Sequence, residues 1–243
     1  MPEHYLLIML ILAVGAFTQG LTGFGSSLVS LPFLVLCLDI RTAVVLSIVS
    51  GLAITAFLSL QLKSHLDWRK ITPLLAGFVP GVAAGVGFLK KSSEPLFLLL
   101  LGFMLIGFSL YRLLARPRPH RLHRGWGVGA GFASGAITAA FSAGGPPSII
   151  YATLTGWDKE EIRATLSIYF FLGGIFTALA HLAAGLVTPE VLRLAGWTFP
   201  ATLAGVWSGS LLSGMFRTEG YLRLVLFALL GMGVMMLVSG LRG

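Results

Sequence analysis

GLTGFGSSLVSLP, residues 20–32, sets glycines, serines and a proline inside an otherwise apolar run that extends over 5–38. A helix that crosses the hydrocarbon of a bilayer needs about 20 residues. The run is too long for one crossing and too short for two ordinary ones. Glycine strips side-chain cover and loosens a helix, and proline removes a backbone donor. Lipid offers freed backbone groups no partner, so such a break persists only inside protein or beside water. The stretch therefore reads as a helix pair broken at membrane depth. GAITAAFSAGGPPSIIY, residues 135–151, repeats the pattern inside a second long apolar run, 125–154.

Composition supports a membrane setting. Of 243 residues, 56% are apolar and 11% charged, against about 25% charged in soluble domains, and the mean hydropathy is +0.90. The opening MPEHYLLIML lacks the basic n-region of a signal peptide. Cys37, the single cysteine, makes no internal disulfide and reads as a packing residue. The net charge is +8, and five arginines (Arg112, Arg116, Arg118, Arg121 and Arg124) crowd with two histidines into one connector, YRLLARPRPHRLHRG. A cytoplasmic loop under the positive-inside bias accounts for them, with anionic lipid as a side contact, and nucleic-acid binding is set aside.

The remaining apolar segments are 43–62, 71–89, 96–114, 163–186, 190–213 and 221–241. A long broken stretch and three spans, then the basic loop, then the same order again, read as two repeats. A slide of 122 positions puts Arg41 on Arg163 and Gly51 on Gly173; a slide of 120 puts Pro80 on Pro200 and Gly85 on Gly205. The predicted fold is an all-α polytopic membrane protein. Its parts are a first transmembrane repeat at 1–114, a basic cytoplasmic linker at 115–124 and a second transmembrane repeat at 125–243. If neither broken stretch makes a net crossing, 12 of the 17 basic residues lie inside (63, 69, 70, 112, 116, 118, 121, 124, 159, 163, 217, 223). One crossing per broken stretch leaves fewer there. The positive-inside rule thus favours two repeats inverted in the membrane, in a multi-pass protein of the inner (plasma) membrane.

Paired Gly/Pro-interrupted segments, one per repeat, are the sequence pointer to a transporter's binding site. Close helix packing explains Gly81/Gly85 and Gly127/Gly131/Gly135, but not GGPP beside serines in one half and GFGSS in the other. A helix that starts at the break offers free N–H groups and the positive end of its dipole, which favour a small anion. The candidate substrate site is Thr22, Gly23, Gly25, Ser26, Ser27, Ser142, Gly144, Gly145, Pro146 and Ser148, with Thr138 behind. For each hydroxyl the competing reading is a bond back to its own helix.

Gly20-x-x-Gly23-Phe24-Gly25…Pro32 in the first half and Gly131-x-x-x-Gly135…Gly144-Gly145-Pro146-Pro147 in the second resemble the TauE/SafE family of sulfite and organosulfonate exporters. The resemblance covers nearly the whole chain, basic connector included. Ser26 and Ser27 stand where the family pattern often has further glycines. It implies export of sulfite, a short organosulfonate or a related organic anion. Only the anion preference follows from the residues themselves.

Arg41 and Arg163 hold matching places at the heads of the helices after each break. One reading draws an anion to the pore mouth through the guanidinium fork; the other is a helix-end anchor, with Asp39 and Asp158 nearby for local pairing. All nine acidic residues fall in connectors or at segment ends. His181 is the one embedded candidate for proton coupling, set against a neutral histidine bonded to a neighbouring helix. Membrane potential alone moves an anion outward by about 2.3 kcal/mol per charge per 100 mV. Tyr151 and Tyr169 are read as packing. Trp68, Trp126, Trp157 and Trp197 belong to interfacial belts, and Trp207 is expected to pack more deeply. No HExxH, GxSxG, GxxxxGK[ST] or CxxC occurs, so no enzyme, cofactor or metal is predicted. Carrier and channel stay open, as do uptake in place of export and a homodimer.

Overall fold

The computed structural model describes residues 2–62, 68–115, 122–123, 125–157, 159–213 and 218–242. Of the basic linker, 116–121 and 124 lie outside the described residues, as does Asp158. The described chain is helical throughout, in ten helices: α1 Pro2–Thr22, α2 Ser26–Leu34, α3 Ile40–Leu62, α4 Trp68–Lys91, α5 Glu94–Leu114, α6 Gly125–Phe141, α7 Gly145–Leu154, α8 Lys159–Ala183, α9 Pro189–Leu212 and α10 Thr218–Arg242. Six of them (α1, α3, α4, α5, α8 and α10) are long and apolar enough to cross a membrane. The two long apolar runs are the two broken pairs, α1/α2 and α6/α7, each followed by three long helices.

Each break is local chemistry. Gly25, the N-cap of α2, has φ +97°, and Gly23 has φ +90°. Both lie in the left-handed region where a Cβ is costly. At the second break Ser142 takes φ +54° without being glycine, a strained state that the surroundings must hold in place. Pro146 and Pro147 follow at the start of α7, where the missing N–H groups have no helical partner anyway. Elsewhere the ends are ordinary: the Asp39 carboxylate accepts from Thr42 N at 3.1 Å to cap α3, and the Thr188 hydroxyl accepts from Val191 N at 3.3 Å to cap α9.

After each break the chain folds back on itself. A Cβ added to Gly15 would meet the Ser26 carbonyl oxygen at 2.7 Å and Ser30 Cβ at 3.2 Å, so α2 runs antiparallel along α1. One added to Gly127 would lie 3.0 Å from the Tyr151 hydroxyl, and Ser134 Oγ donates to Gly144 O at 2.5 Å, so α7 runs back along α6. Both broken stretches are helical hairpins.

Glycine also sets the tertiary pairings. Gly77, Gly81 and Gly85 of α4 lie directly on the Val128, Phe132 and Ala136 carbonyls of α6, and Gly131 and Gly135 of α6 on the Leu74 and Phe78 carbonyls of α4. Numbers rise together, so α4 and α6 are parallel. Gly205 and Gly209 of α9 meet Ala13 and Phe17 of α1 in the same sense. α5 and α10 instead run antiparallel, Gly102 against Gly233 and Leu237, Gly240 against Pro95 and Leu99. The remaining major pairing is α3 with α8. Exchanging α1–α5 for α6–α10 leaves these pairings unchanged, and the α5/α10 equivalents oppose each other. This geometry fits two inverted repeats.

Large apolar side chains line the outside: Phe103 is 64% exposed, Trp197 65% and Phe227 62%. Such a surface suits lipid rather than water. Trp207 differs from expectation, at 55% exposed. The face that α9 buries carries Thr202, Gly205, Val206 and Gly209, and Trp207 points away from it.

Gly81→Ala should force α4 from α6 and lower stability by about 2 kcal/mol. Gly129→Ala on α6, where nothing lies within 4 Å of the added carbon, should leave the melting temperature in detergent within about 1 °C of wild type.

Candidate functional site

The tips of the two hairpins meet. Ser27 Oγ, in the first turn of α2, lies 3.0 Å from Ser142 Oγ, in the turn before α7. Beside this contact is a cavity with ≈ 80 Å³ of room for the centres of water-sized molecules. Six of the sequence-predicted residues line it: Gly25, Ser26, Ser27, Ser142, Gly144 and Gly145. The N-termini of α2 and α7 both open on it, so two helix dipoles present their positive ends to one space.

The donors there can be enumerated. Ser26 N–H donates to Gln19 Oε1 at 3.3 Å, and Val29 N–H to Gly25 O at 3.2 Å. Ser27 and Leu28 are left as the first-turn N–H groups of α2 without a helical partner. In α7 the two prolines carry no N–H, and Gly145 supplies the first-turn donor. In the Ser27–Ser142 pair one hydroxyl donates to the other, so one O–H hydrogen remains for a third group.

Other predicted residues stand off the cavity. Thr22 Oγ1 lies 2.8 Å from Thr18 O and 2.7 Å from Phe24 O, and its one hydrogen is spent on these carbonyls, tying the turn to itself. Gly23 packs on the Arg163 side chain. Pro146 is buried within α7. Ser148 is fully buried, facing into the protein with Ser134 and Tyr169 rather than into the cavity. Thr138, by contrast, does line the cavity, but its hydroxyl is spent on Ser134 O at 2.7 Å.

The two arginines play equivalent parts away from the cavity. Arg41 Nη2 donates to Lys90 O at 3.0 Å, at the C-terminal end of α4. Arg163 Nη2 reaches Ser213 Oγ at 3.4 Å, the C-cap of α9, and Gly20 O at 3.5 Å. Each guanidinium thus sits where a helix dipole is negative, in matching positions of the two halves. His181 is fully buried, its Nε2 3.0 Å from Ala139 O of α6. A carbonyl oxygen only accepts, so Nε2 carries the proton there. Tyr151 and Tyr169 are packed in edge-on aromatic pairs, with Trp157 and Phe78 respectively.

Several lining residues escaped the sequence reading: Gln19 of α1, Phe24, Ser47, Gly51 and Thr55 of α3, Phe78 of α4, and Phe170 and Gly174 of α8. Gln19 was the one with a signal, a lone amide in an apolar run. Phe24 lies in the first break itself but is apolar there, and the others come from neighbouring helices with no polar break.

Adjacent glycines in GGPP have opposite reasons to be glycine. A Cβ at Gly144 would overlap Thr138 Oγ1 and the Ser134 carbonyl, whereas one at Gly145 meets only Ile149 Cδ1 at 3.4 Å and Phe170 Cζ at 3.8 Å. Gly144→Ala should therefore cost about 1–3 kcal/mol of stability, and Gly145→Ala should melt within about 1 °C of wild type in the same detergent.

Comparison with known proteins adds one finding. The family model described as "Sulfite exporter TauE/SafE" matches residues 7–238. No curated protein and no solved structure matches the chain. With paired hairpins at a serine-bearing cavity inside an apolar bundle and a family match over nearly its whole length, the chain belongs to the TauE/SafE family of membrane transporters and is a multi-pass membrane protein.

Proposed function

We propose that the protein exports sulfite, a short organosulfonate or a related small organic anion, bound where the two hairpin tips meet. The observation that carries this reading is the convergence of the α2 and α7 N-termini on one cavity across the Ser27–Ser142 contact. Helix N-termini stabilise anions without a counter-charge, and oxyanions have several oxygens to engage donors from both tips. The family description supports the sulfur-oxyanion class.

The same reading places the protein in the inner membrane with the 115–124 linker in the cytoplasm and two inverted repeats, 1–114 and 125–243. Alternating access then has a mechanical basis. The α1/α2 hairpin is clamped to α9 and the α6/α7 hairpin to α4 by glycine-to-backbone packing. The moving bodies are therefore α1–α2–α9 and α6–α7–α4, each drawing from both repeats, with the anion between them. Outward movement of a monoanion follows the membrane potential, and no intramembrane carboxylate is required.

Purified protein in liposomes should move radiolabelled sulfite or methanesulfonate across the bilayer. Unlabelled substrate on the far side should accelerate the flux, as a carrier requires and a simple pore does not. Ser27→Leu and Gly145→Leu should lower the flux at least about tenfold in protein that still melts cooperatively. No flux above that of protein-free liposomes for either anion would refute the proposal. Flux without counterflow acceleration would make the protein a channel.

A further inference from the structure

The cavity's charge and one unspent donor define its ligand more narrowly. Its walls come from α1, α2, α3, α4, α6, α7 and α8 and from both hairpin turns, and no lining residue carries a carboxylate, amine, guanidinium or imidazole. Arg41 and Arg163 reach helix ends through Nη2, with Arg163 Nε buried and unpartnered among the described residues beside Gly23; Arg112 stacks on Phe24, and His181 is bonded to Ala139 O away from the lining. Apolar surface from Phe24, Leu28, Ile48, Leu52, Phe78 and Phe170 makes up the rest.

Gln19 is 5% exposed and lines this cavity. Ser26 N–H can only donate, so the amide atom it faces is the oxygen, and the Ser26 hydroxyl donates to the same atom. Gln19 Oε1 is thereby occupied and the plane of the amide set by α2. The amide nitrogen, with two hydrogens, has no protein partner among the described residues and is not sealed from the cavity. A buried NH₂ beside a helix N-terminus is a donor waiting for an acceptor.

We infer that the cavity selects a singly charged oxyanion and that Gln19 Nε2 donates to one of its oxygens. This rests on the anion-transport reading above and narrows it. Neutral donors and two half-charges at helix ends can balance one negative charge. The desolvation cost of an ion grows as the square of its charge, so a dianion costs roughly four times as much to bring in, and no cationic side chain lines the cavity to offset it; the Arg112 guanidinium stacks on the Phe24 ring, 5.9 Å from its centroid, in the adjoining pocket. For sulfite the ligand is then hydrogensulfite, and the apolar walls accept the short alkyl group of a sulfonate.

Binding to the purified full chain, measured by calorimetry, tests this with three probes: methanesulfonate, sulfite and sulfate. Methanesulfonate should bind with the same affinity on the acid and the alkaline side of the second ionisation of sulfurous acid. Apparent sulfite affinity should fall on the alkaline side in proportion to hydrogensulfite, and sulfate should bind at least about tenfold more weakly than methanesulfonate. Gln19→Glu keeps an acceptor for Ser26 but replaces the NH₂ by a carboxyl oxygen that is charged once ionised, and should abolish methanesulfonate binding on the alkaline side of that ionisation, at some cost in melting temperature from the buried charge. Gln19→Met should weaken it about tenfold or more, the worth of a hydrogen bond to a charged group. Sulfate binding as tight as methanesulfonate, a pH-independent sulfite affinity, or full affinity in folded, ionised Gln19→Glu or in folded Gln19→Met would overturn the inference while leaving anion transport standing. Failure of all three anions to bind wild type, together with absent flux in liposomes, would overturn both.

Discussion

A backbone N–H or C=O freed inside hydrocarbon costs several kcal/mol unless protein or water takes it up, and this chain frees such groups twice. The interruptions at 22–25 and 142–144 survive because they shelter each other. Ser27 meets Ser142, the Gln19 amide takes the first N–H of α2, and Ser134 takes the Gly144 carbonyl. What remains unpaired at the two helix starts is gathered around one cavity. The defect and the proposed binding site are the same object, and the rest of the bundle holds the two halves of it together.

That task explains where the glycines went. Each hairpin lies on a long helix from the opposite half of the chain, α1 on α9 and α6 on α4, so close that a methyl group would overlap a backbone carbonyl. With no hydrophobic drive between helices in lipid, close van der Waals contact is the available adhesive, and small residues maximise it. The exchange of helices between halves also ties the repeats into one bundle. Antiparallel α5/α10 packing closes the arrangement, with Arg41 and Arg163 at equivalent helix ends.

Much of this was legible in the sequence. The break in GLTGFGSSLVSLP, its partner in GAITAAFSAGGPPSIIY and the three spans after each correspond to α1–α5 and α6–α10. Period-free apolar runs of about 20 residues are a strong signal because the bilayer sets their length. Within the breaks, Gly25, Ser26, Ser27, Ser142, Gly144 and Gly145 were found because glycine and serine are conspicuous there. Ser47, Thr55, Phe78 and Phe170 were missed because they sit in intact helices, where a wall residue and a core residue look alike. Trp207 was misjudged for the same reason: depth along a helix is readable from sequence, and the side of the helix that meets lipid is not.

By itself the sequence determined the class, the number and order of helices, the two breaks and the anion-favouring character of their N-termini. These depend on local backbone chemistry and on the thickness of a membrane. Tertiary structure alone decided that the two tips converge and that hairpins are backed by helices of the opposite half. It also turned Thr22, Ser148, Arg41 and Arg163 away from the cavity and brought Gln19 into it. Those outcomes depend on which carbonyl a glycine meets and which partner a hydroxyl reaches, and the contacts that join the two halves, Ser27 with Ser142 and α1 with α9, link residues more than a hundred positions apart whose meeting no spacing along the chain encodes.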